Sequence, residues 1–386
     1  MKIIKLFFTV TFIILTITQY RVLENISVLF MLRFVSIFAS IFILTMYLYG
    51  NNKLLVKKID IVKFMLIAVA SLLNLFIYEG TSILFNSSFI TMCLFILAVV
   101  IFVFPSIEDS VLDNIIKLLF WVLVIFVFLP NFVLTFDPSK YYVQGERIRF
   151  VGMFNNANSL GAHLYLLIII SVKLSSNQNM IRYKWVYFVI IFGSIYTIIL
   201  ANSRTPLIAT LILFFIGFYL WVFRKIESKT KVIFVQLMII ICFLLVVLFS
   251  NKYLPGVSFS ELDKLSSSRL SIWNSVLTER SIVNQFFGNG STRDGLYSNL
   301  VITNGYVELL YYFGIIGFLF WIILIFTSPM FKESAKSKNK NITKYAIIIS
   351  MFIYFIGEGG IVSFSNVISL YFWIELSNRS SVYSSA

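Results

Sequence analysis

The sequence predicts an all-α integral membrane protein of about twelve transmembrane helices, with both termini cytoplasmic and one large outward-facing loop. Three observations predict it. Hydrophobic residues make up 59% of the chain and charged residues 12%, with a mean hydropathy of +0.93, far from a soluble globular composition. Apolar runs approaching the 20 or so residues of a spanning helix recur along the whole length. Lysine and arginine also divide unequally between alternate connections, and basic residues orient a multi-span chain.

The runs lie near residues 3–18, 26–49, 62–78, 82–104, 115–136, 159–172, 185–200, 206–223, 232–249, 305–327, 344–357 and 360–376. In the first, Lys2 and Lys5 precede an apolar stretch, as in a secretory leader. No small-residue cleavage site follows before Gln19-Tyr20-Arg21, so the run is read as the first span. Cys93 and Cys242 each fall inside a span and are read as small core residues, not as a disulfide or metal pair.

With the N-terminus inside, the inward segments hold 17 of the 20 lysines and only Arg182, Arg224 and Arg379. The outward segments hold Lys140, Lys252 and Lys264, but also Arg21, Arg147, Arg149, Arg204, Arg269, Arg280 and Arg293. Arg33 lies within a span. Lysines obey the inward rule and most arginines do not, which points to an anionic target gripped outside. The inward loops are short and carry no nucleotide-binding motif, so chemistry is expected at the outer face of a single polytopic domain, residues 1–386. No cofactor, metal or nucleic-acid partner is expected.

Two outward segments are long, residues 137–158 and 250–304. In the first, Arg147 and Arg149 alternate with apolar residues, so a short extended stretch would turn both to one side. Asn156 or Asn158 suits the N-cap of the sixth span. Lipid headgroups are the other possible destination of these arginines, and plain capping the other role of the asparagines. In Asn202-Ser203-Arg204-Thr205-Pro206 the proline suits a first helical turn and Thr205 its cap. Arg204 then sits at a helix N-terminus, where its charge is unfavourable unless an anion neutralises it.

In the second segment Arg269, Trp273 and Leu277 recur at i, i+4 and i+8, an amphipathic helix with one contact face, ended by Phe287-Gly288-Asn289-Gly290. Trp273 is read as a sugar-stacking platform or an interfacial anchor. Asn304-Gly305-Tyr306 opens the tenth span. Glu308, just inside the membrane boundary, needs a partner such as an outward arginine or else serves catalysis. The lone histidine, His163, is either a base or a packed helix residue. The sixth, eighth and tenth spans all present their positive N-terminal ends outward, and forked guanidinium groups there suit a phosphate or pyrophosphate.

Residues 147 to 317 resemble the O-antigen polymerase and O-antigen ligase superfamily, the Wzy-type membrane glycosyltransferases. The likeness is carried by Arg149-x-x-Gly152-x-Phe154-x-Asn156-x-Asn158, Ser203-Arg204-Thr205, Arg269-x-x-x-Trp273, Gly288-Asn289-Gly290 and Asn304-Gly305-Tyr306 leading to Tyr312-Phe313-Gly314. The resemblance implies an enzyme of the cell membrane acting at its outer face on oligosaccharides carried by undecaprenyl pyrophosphate, without nucleotide sugar or metal. A chain-length regulator and a flippase are the protein partners it implies. An acceptor hydroxyl attacks the donor's anomeric carbon and the lipid pyrophosphate leaves. Arg204 and Arg269 would stabilise that leaving charge, with Glu308 and His163 as further catalytic candidates. Arg147, Arg149, Asn156, Asn158, Trp273, Asn304 and Tyr306 would bind substrate. Ligase members tend to carry a histidine before the asparagine of the late span. Thr303 stands there instead, which shifts the reading toward polymerase. A lipid-linked oligosaccharide flippase or other transporter is the rival from another class, and a purely structural membrane protein a third.

Overall fold

The computed structural model describes residues 2–23, 27–54, 56–77, 92–144, 147–176, 184–222, 269–278, 281–289, 304–328, 342–361 and 366–377. The apolar run at 232–249, most of the 250–304 segment, Arg280 and Arg293 lie outside the described residues.

The described chain is helical almost throughout. In order come α1 (Lys2–Ile17), α2 (Ser27–Gly50), α3 (Lys58–Ile77), α4 (Met92–Ser106) and α5 (Asp109–Leu134). After a β-hairpin follow α6 (Ala157–Ser175), α7 (Lys184–Leu200), α8 (Arg204–Val222), α9 (Arg269–Thr278) and α10 (Ile282–Phe287). The last three are α11 (Gly305–Phe326), α12 (Ile342–Gly357) and α13 (Val367–Ser377). The hairpin pairs β1 (Tyr141–Gln144) with β2 (Arg147–Phe150) antiparallel, Tyr142 opposite Arg149, and is the one departure from an all-helical chain among the described residues.

Four helices are long and apolar enough to cross a membrane: Met31–Gly50, Asp109–Leu134, Ala157–Ser175 and Gly305–Phe326. Shorter apolar stretches of 10–17 residues lie at Met92–Ser106, Lys184–Leu200, Arg204–Tyr219, Thr343–Gly357 and Val367–Ser377. Their surfaces carry the same message as their lengths. Along α2, Val28, Met31, Val35, Phe42, Met46 and Tyr49 form an exposed stripe at helical spacing, and α7 shows another in Trp185, Val189, Phe192 and Ile199. Water does not tolerate contiguous apolar faces of this extent, whereas lipid does.

Helix α6 sits at the centre. Every residue from Leu164 to Ile170 is fully buried, the mark of a helix apolar all round and wrapped on all sides. It packs on α5, α7, α8, α12 and α13, and α8 packs in turn on α12. The Tyr165 and Tyr354 rings stack 5.1 Å apart, and the Tyr165 hydroxyl donates to Ser350 at 2.8 Å. At the far end of α6, Lys173 pairs with the buried Glu375 of α13.

Two irregularities have local causes. A π-helical turn at Val99–Val103 precedes Pro105, and another at Val124–Phe128 precedes Pro130. Proline has no N–H for the carbonyl four residues back and its ring crowds that carbonyl, so the helix widens just before it. For Pro130 that carbonyl is Phe126, and the Tyr20 hydroxyl donates to it instead. Arg33, six residues into α2, is drawn to the C-terminal end of α1. Its Nε donates to Thr18 Oγ1 at 2.6 Å and its Nη2 to the Thr18 carbonyl at 2.5 Å, where a helix end favours a cation.

Helix α11 is broken at Gly314, whose φ of +64° and ψ of −172° are not helical. The break is met by the end of α10 at Gly288, where φ is +85°. The Asn289 N–H donates to the Tyr311 carbonyl at 2.8 Å, three residues before the break. A Cβ on Gly314 would lie 2.3 Å from the Phe286 carbonyl oxygen, and one on Gly288 would lie 2.3 Å from that of Tyr312. Only glycine fits both sides of this contact.

Candidate functional site

The hairpin is held by residues that precede and follow it. The side-chain oxygen of Asn131, buried in α5, accepts the Met153 N–H at 2.9 Å. Tyr20 bridges to Phe154, Arg21 N–H donates to the Met153 carbonyl, and Asn155 N–H donates to that of Gln19. Phe154 is fully buried, edge-on to Tyr20 at 5.3 Å and 5.0 Å from the His163 ring. So docked, β2 carries Arg149 to the turn between α7 and α8. Its Nε donates to the Ala201 carbonyl at 3.2 Å, and its Nη2 to Asn158 Oδ1 at 2.7 Å and the Asn202 carbonyl at 3.5 Å. The arginine thereby clamps a turn in which Asn202 takes a left-handed φ of +48°, a conformation asparagine tolerates.

That turn starts α8 two residues earlier than its composition suggests, with Thr205 as the expected cap. The helix begins at Arg204 and the Leu207 N–H bonds to the Ser203 carbonyl. Ser203 therefore holds the cap position, and Thr205 stands inside the first turn. Arg204 is exposed at this N-terminus, and buried Ser203 donates to Asn158 at 3.5 Å.

Thr205 faces α9 and α12. Arg269, the first residue of α9, donates through Nη1 to Thr205 Oγ1 at 3.5 Å and to the Gly357 carbonyl. Its Nη2 lies 3.5 Å from Glu358 Oε1. Gly357 permits this approach, since a Cβ there would stand 2.5 Å from Thr205 Oγ1. The Glu358-Gly359-Gly360 turn then reaches α11. The Gly305 N–H donates to the Glu358 carbonyl at 3.1 Å, and Gly360 N–H to Glu308 Oε2 at 2.5 Å. Asn304 caps α11 by accepting the Tyr306 and Val307 N–H groups, and the Tyr306 hydroxyl donates to Phe352 at 3.0 Å.

Glu358 lies in the turn between α12 and α13. Burial pushes its carboxyl above the ordinary glutamate range, against the pull of Arg269, the Thr205 hydroxyl and the more distant Arg149. The burial is real, with only 17% of the side chain exposed, and desolvation of a carboxylate outweighs partners held at this range.

The structure thus gathers Arg149, Asn158, Arg204, Arg269, Asn304, Tyr306 and Glu308 at one end of the bundle, tied to one another through the turns at 201–205 and 357–360. Trp273, one helical turn beyond Arg269, packs with Ile272 against Val307, Tyr311 and Tyr312 of α11. Asn156 caps α6 by accepting the Ser159 N–H at 2.7 Å. His163 is packed against Phe154 with Nδ1 on the Ser159 carbonyl at 2.8 Å. The side chains of Arg147 and Leu277 lie outside the described residues. Among the described residues, no group of three His, Cys, Asp or Glu side chains is placed to hold a metal ion.

Sequence reasoning passed over Glu358. Its signal was a lone carboxylate among glycines, Gly357-Glu358-Gly359-Gly360, between the last two apolar runs.

No family model, curated protein or solved structure matches this chain. The N-termini of α6, α8, α9 and α11 meet at the site, and each is the positive end of a helix dipole. With the guanidinium groups beside them, the arrangement suits an anion with several oxygens.

Proposed function

We propose that this protein is a polysaccharide repeat-unit polymerase of the bacterial cell membrane. It transfers a growing glycan from undecaprenyl pyrophosphate to a lipid-linked repeat unit at the outer face. The observation that carries the reading is the meeting of four helix N-termini with Arg149, Arg204 and Arg269 at one end of a bundle whose sides are apolar. The chain crosses the membrane about twelve times with both termini inside, which puts this end outside. Arg204 and Arg269 neutralise the charge that builds on the departing pyrophosphate, and Arg149 holds the turn that carries Arg204. The resemblance of residues 147–317 to Wzy-type enzymes supports the same reading, and Thr303 in place of the ligase histidine favours polymerase over ligase.

A second reading, a lipid-linked oligosaccharide flippase, is favoured by the break in α11 at Gly314. Interrupted spans with their half-helix ends turned on a substrate are a transporter feature.

One experiment separates the two. In cells carrying Arg204→Ala or Arg269→Ala, at normal membrane levels of protein, a polymerase defect leaves single lipid-linked units at the outer leaflet. A flippase defect leaves them at the inner leaflet. Unchanged long polymer removes both arginines from the chemistry.

A further inference from the structure

The geometry points to Glu358 as the general base that takes the proton from the attacking sugar hydroxyl. The inference rests on the polymerase reading and names a group that reading lacks. Glu358 stands at the junction of α8, α9, α11 and α12: its own carbonyl takes the Gly305 N–H of α11, and its carboxylate faces Arg269 of α9 and Thr205 of α8.

Three features separate it from a structural ion pair. Arg269 is anchored by neutral acceptors, the Gly357 carbonyl and Thr205 Oγ1, so the guanidinium does not need the carboxylate to hold its place. The Arg269 to Glu358 contact is 3.5 Å, longer than the 2.7–2.9 Å or so of a tight charge-assisted bond. Glu308, the neighbouring carboxylate, accepts the Gly360 N–H and so braces the turn that carries Glu358.

Among the described residues, the charged and titratable groups that act on Glu358 include Arg269 from α9, Arg149 from β2 and Tyr354 from α12. Burial works against both arginines and leaves the carboxyl more basic than an ordinary glutamate, the direction a base needs.

The step balances. The acceptor O–H bond breaks and its proton passes to the Glu358 carboxylate while the acceptor oxygen bonds to the anomeric carbon. The bond from that carbon to the phosphate oxygen breaks, its electron pair leaving with the pyrophosphate beside Arg269 and Arg204. The proton then passes from Glu358 to water.

The test uses the full-length protein in lipid vesicles with a lipid-linked repeat unit as donor and acceptor. Glu358→Gln keeps an acceptor for Arg269 but no base. Its turnover is expected to fall about 100-fold or more, with KM within a few-fold of wild type. The wild-type rate is expected to rise with pH along an acid limb that the glutamine variant lacks. Glu358→Asp, keeping a carboxylate, restores part of the rate. Turnover of the glutamine variant within about threefold of wild type, a loss confined to KM, or an unchanged acid limb overturns the role. Should Glu358→Gln fail to fold, the aspartate variant decides: its acid limb shifts to lower pH if residue 358 is the base and stays in place if it is not. Wild-type protein that makes no polymer overturns the polymerase reading itself, a result obtained without any variant.

Discussion

Arg269 and Glu358 meet at 3.5 Å although nearly ninety residues separate them in the chain. The contact exists because Gly357, just before the glutamate, lies against Thr205 and lends its carbonyl to the same guanidinium. One fork therefore ties the first turns of α8 and α9 to the last turn of α12, and the adjoining glycines tie that turn to α11. The interaction is less a pair than a knot of four elements.

Lysine cannot replace that fork. Its single ammonium has no planar geometry with which to serve the Gly357 carbonyl, Thr205 and Glu358 together. On the proposed polymerase function, Arg269→Lys is expected to reduce polymer yield and length by tenfold or so, about 1.4 kcal/mol of transition-state stabilisation. The check is glycan chain length in cells matched for membrane protein level; wild-type length would remove the fork from the mechanism.

The close approach of Gly357 to Thr205 predicts a coupled pair. Gly357→Ala brings a Cβ to 2.5 Å from Thr205 Oγ1, and overpacking of this kind costs about 1–3 kcal/mol. Thr205→Ala removes the clashing atoms, so the double variant is expected to unfold at a higher temperature than Gly357→Ala alone. Thermal unfolding in detergent measures it, and strict additivity would contradict the contact.

Tyr20 and Pro130 offer a second cycle. The Tyr20 hydroxyl serves the Phe126 carbonyl that Pro130 leaves without its helical donor. Tyr20→Phe exposes that carbonyl to the cost of an unmet acceptor, about 1–3 kcal/mol. Pro130→Ala supplies an N–H four residues on, so the phenylalanine substitution is expected to cost less in that background.

Glu358 also predicts a pH dependence of stability. Its carboxyl binds its proton more tightly folded than unfolded, so the folded state holds more protons in the interval between the two values. Stability is then greatest below the unfolded value of about 4.3 and falls as pH rises toward the folded one. Glu358→Gln is expected to flatten the unfolding temperature across that window. A wild-type profile that rises instead would put the arginines, not burial, in control of the carboxyl.

Much of the secondary structure was legible because each helix announces itself locally. Apolar runs at 26–49, 185–200 and 305–327 lie within a residue of helices at Ser27–Gly50, Lys184–Leu200 and Gly305–Phe326. Asn156 and Asn304 cap helices, as residues of their type do beside an apolar run. The start of α8 was displaced by two residues because Ser203 and Thr205 are both good caps in isolation, and Arg149 holds the preceding turn. The break at Gly314 was invisible too. A glycine inside an apolar run is tolerated in a straight helix, and only the arrival of Gly288 and Asn289 beside it makes the break affordable.

Composition and local pattern by themselves determined that this chain is built of apolar helices and where several of them are capped, since hydropathy and helix capping act over a few neighbouring residues. The tertiary structure alone decided which arginines share a site, that Arg149 serves a turn, and that Glu358 belongs with Arg269. These depend on contacts between residues as far apart as Thr205 and Gly357, and such contacts arise only when helix faces pack and bring their ends together.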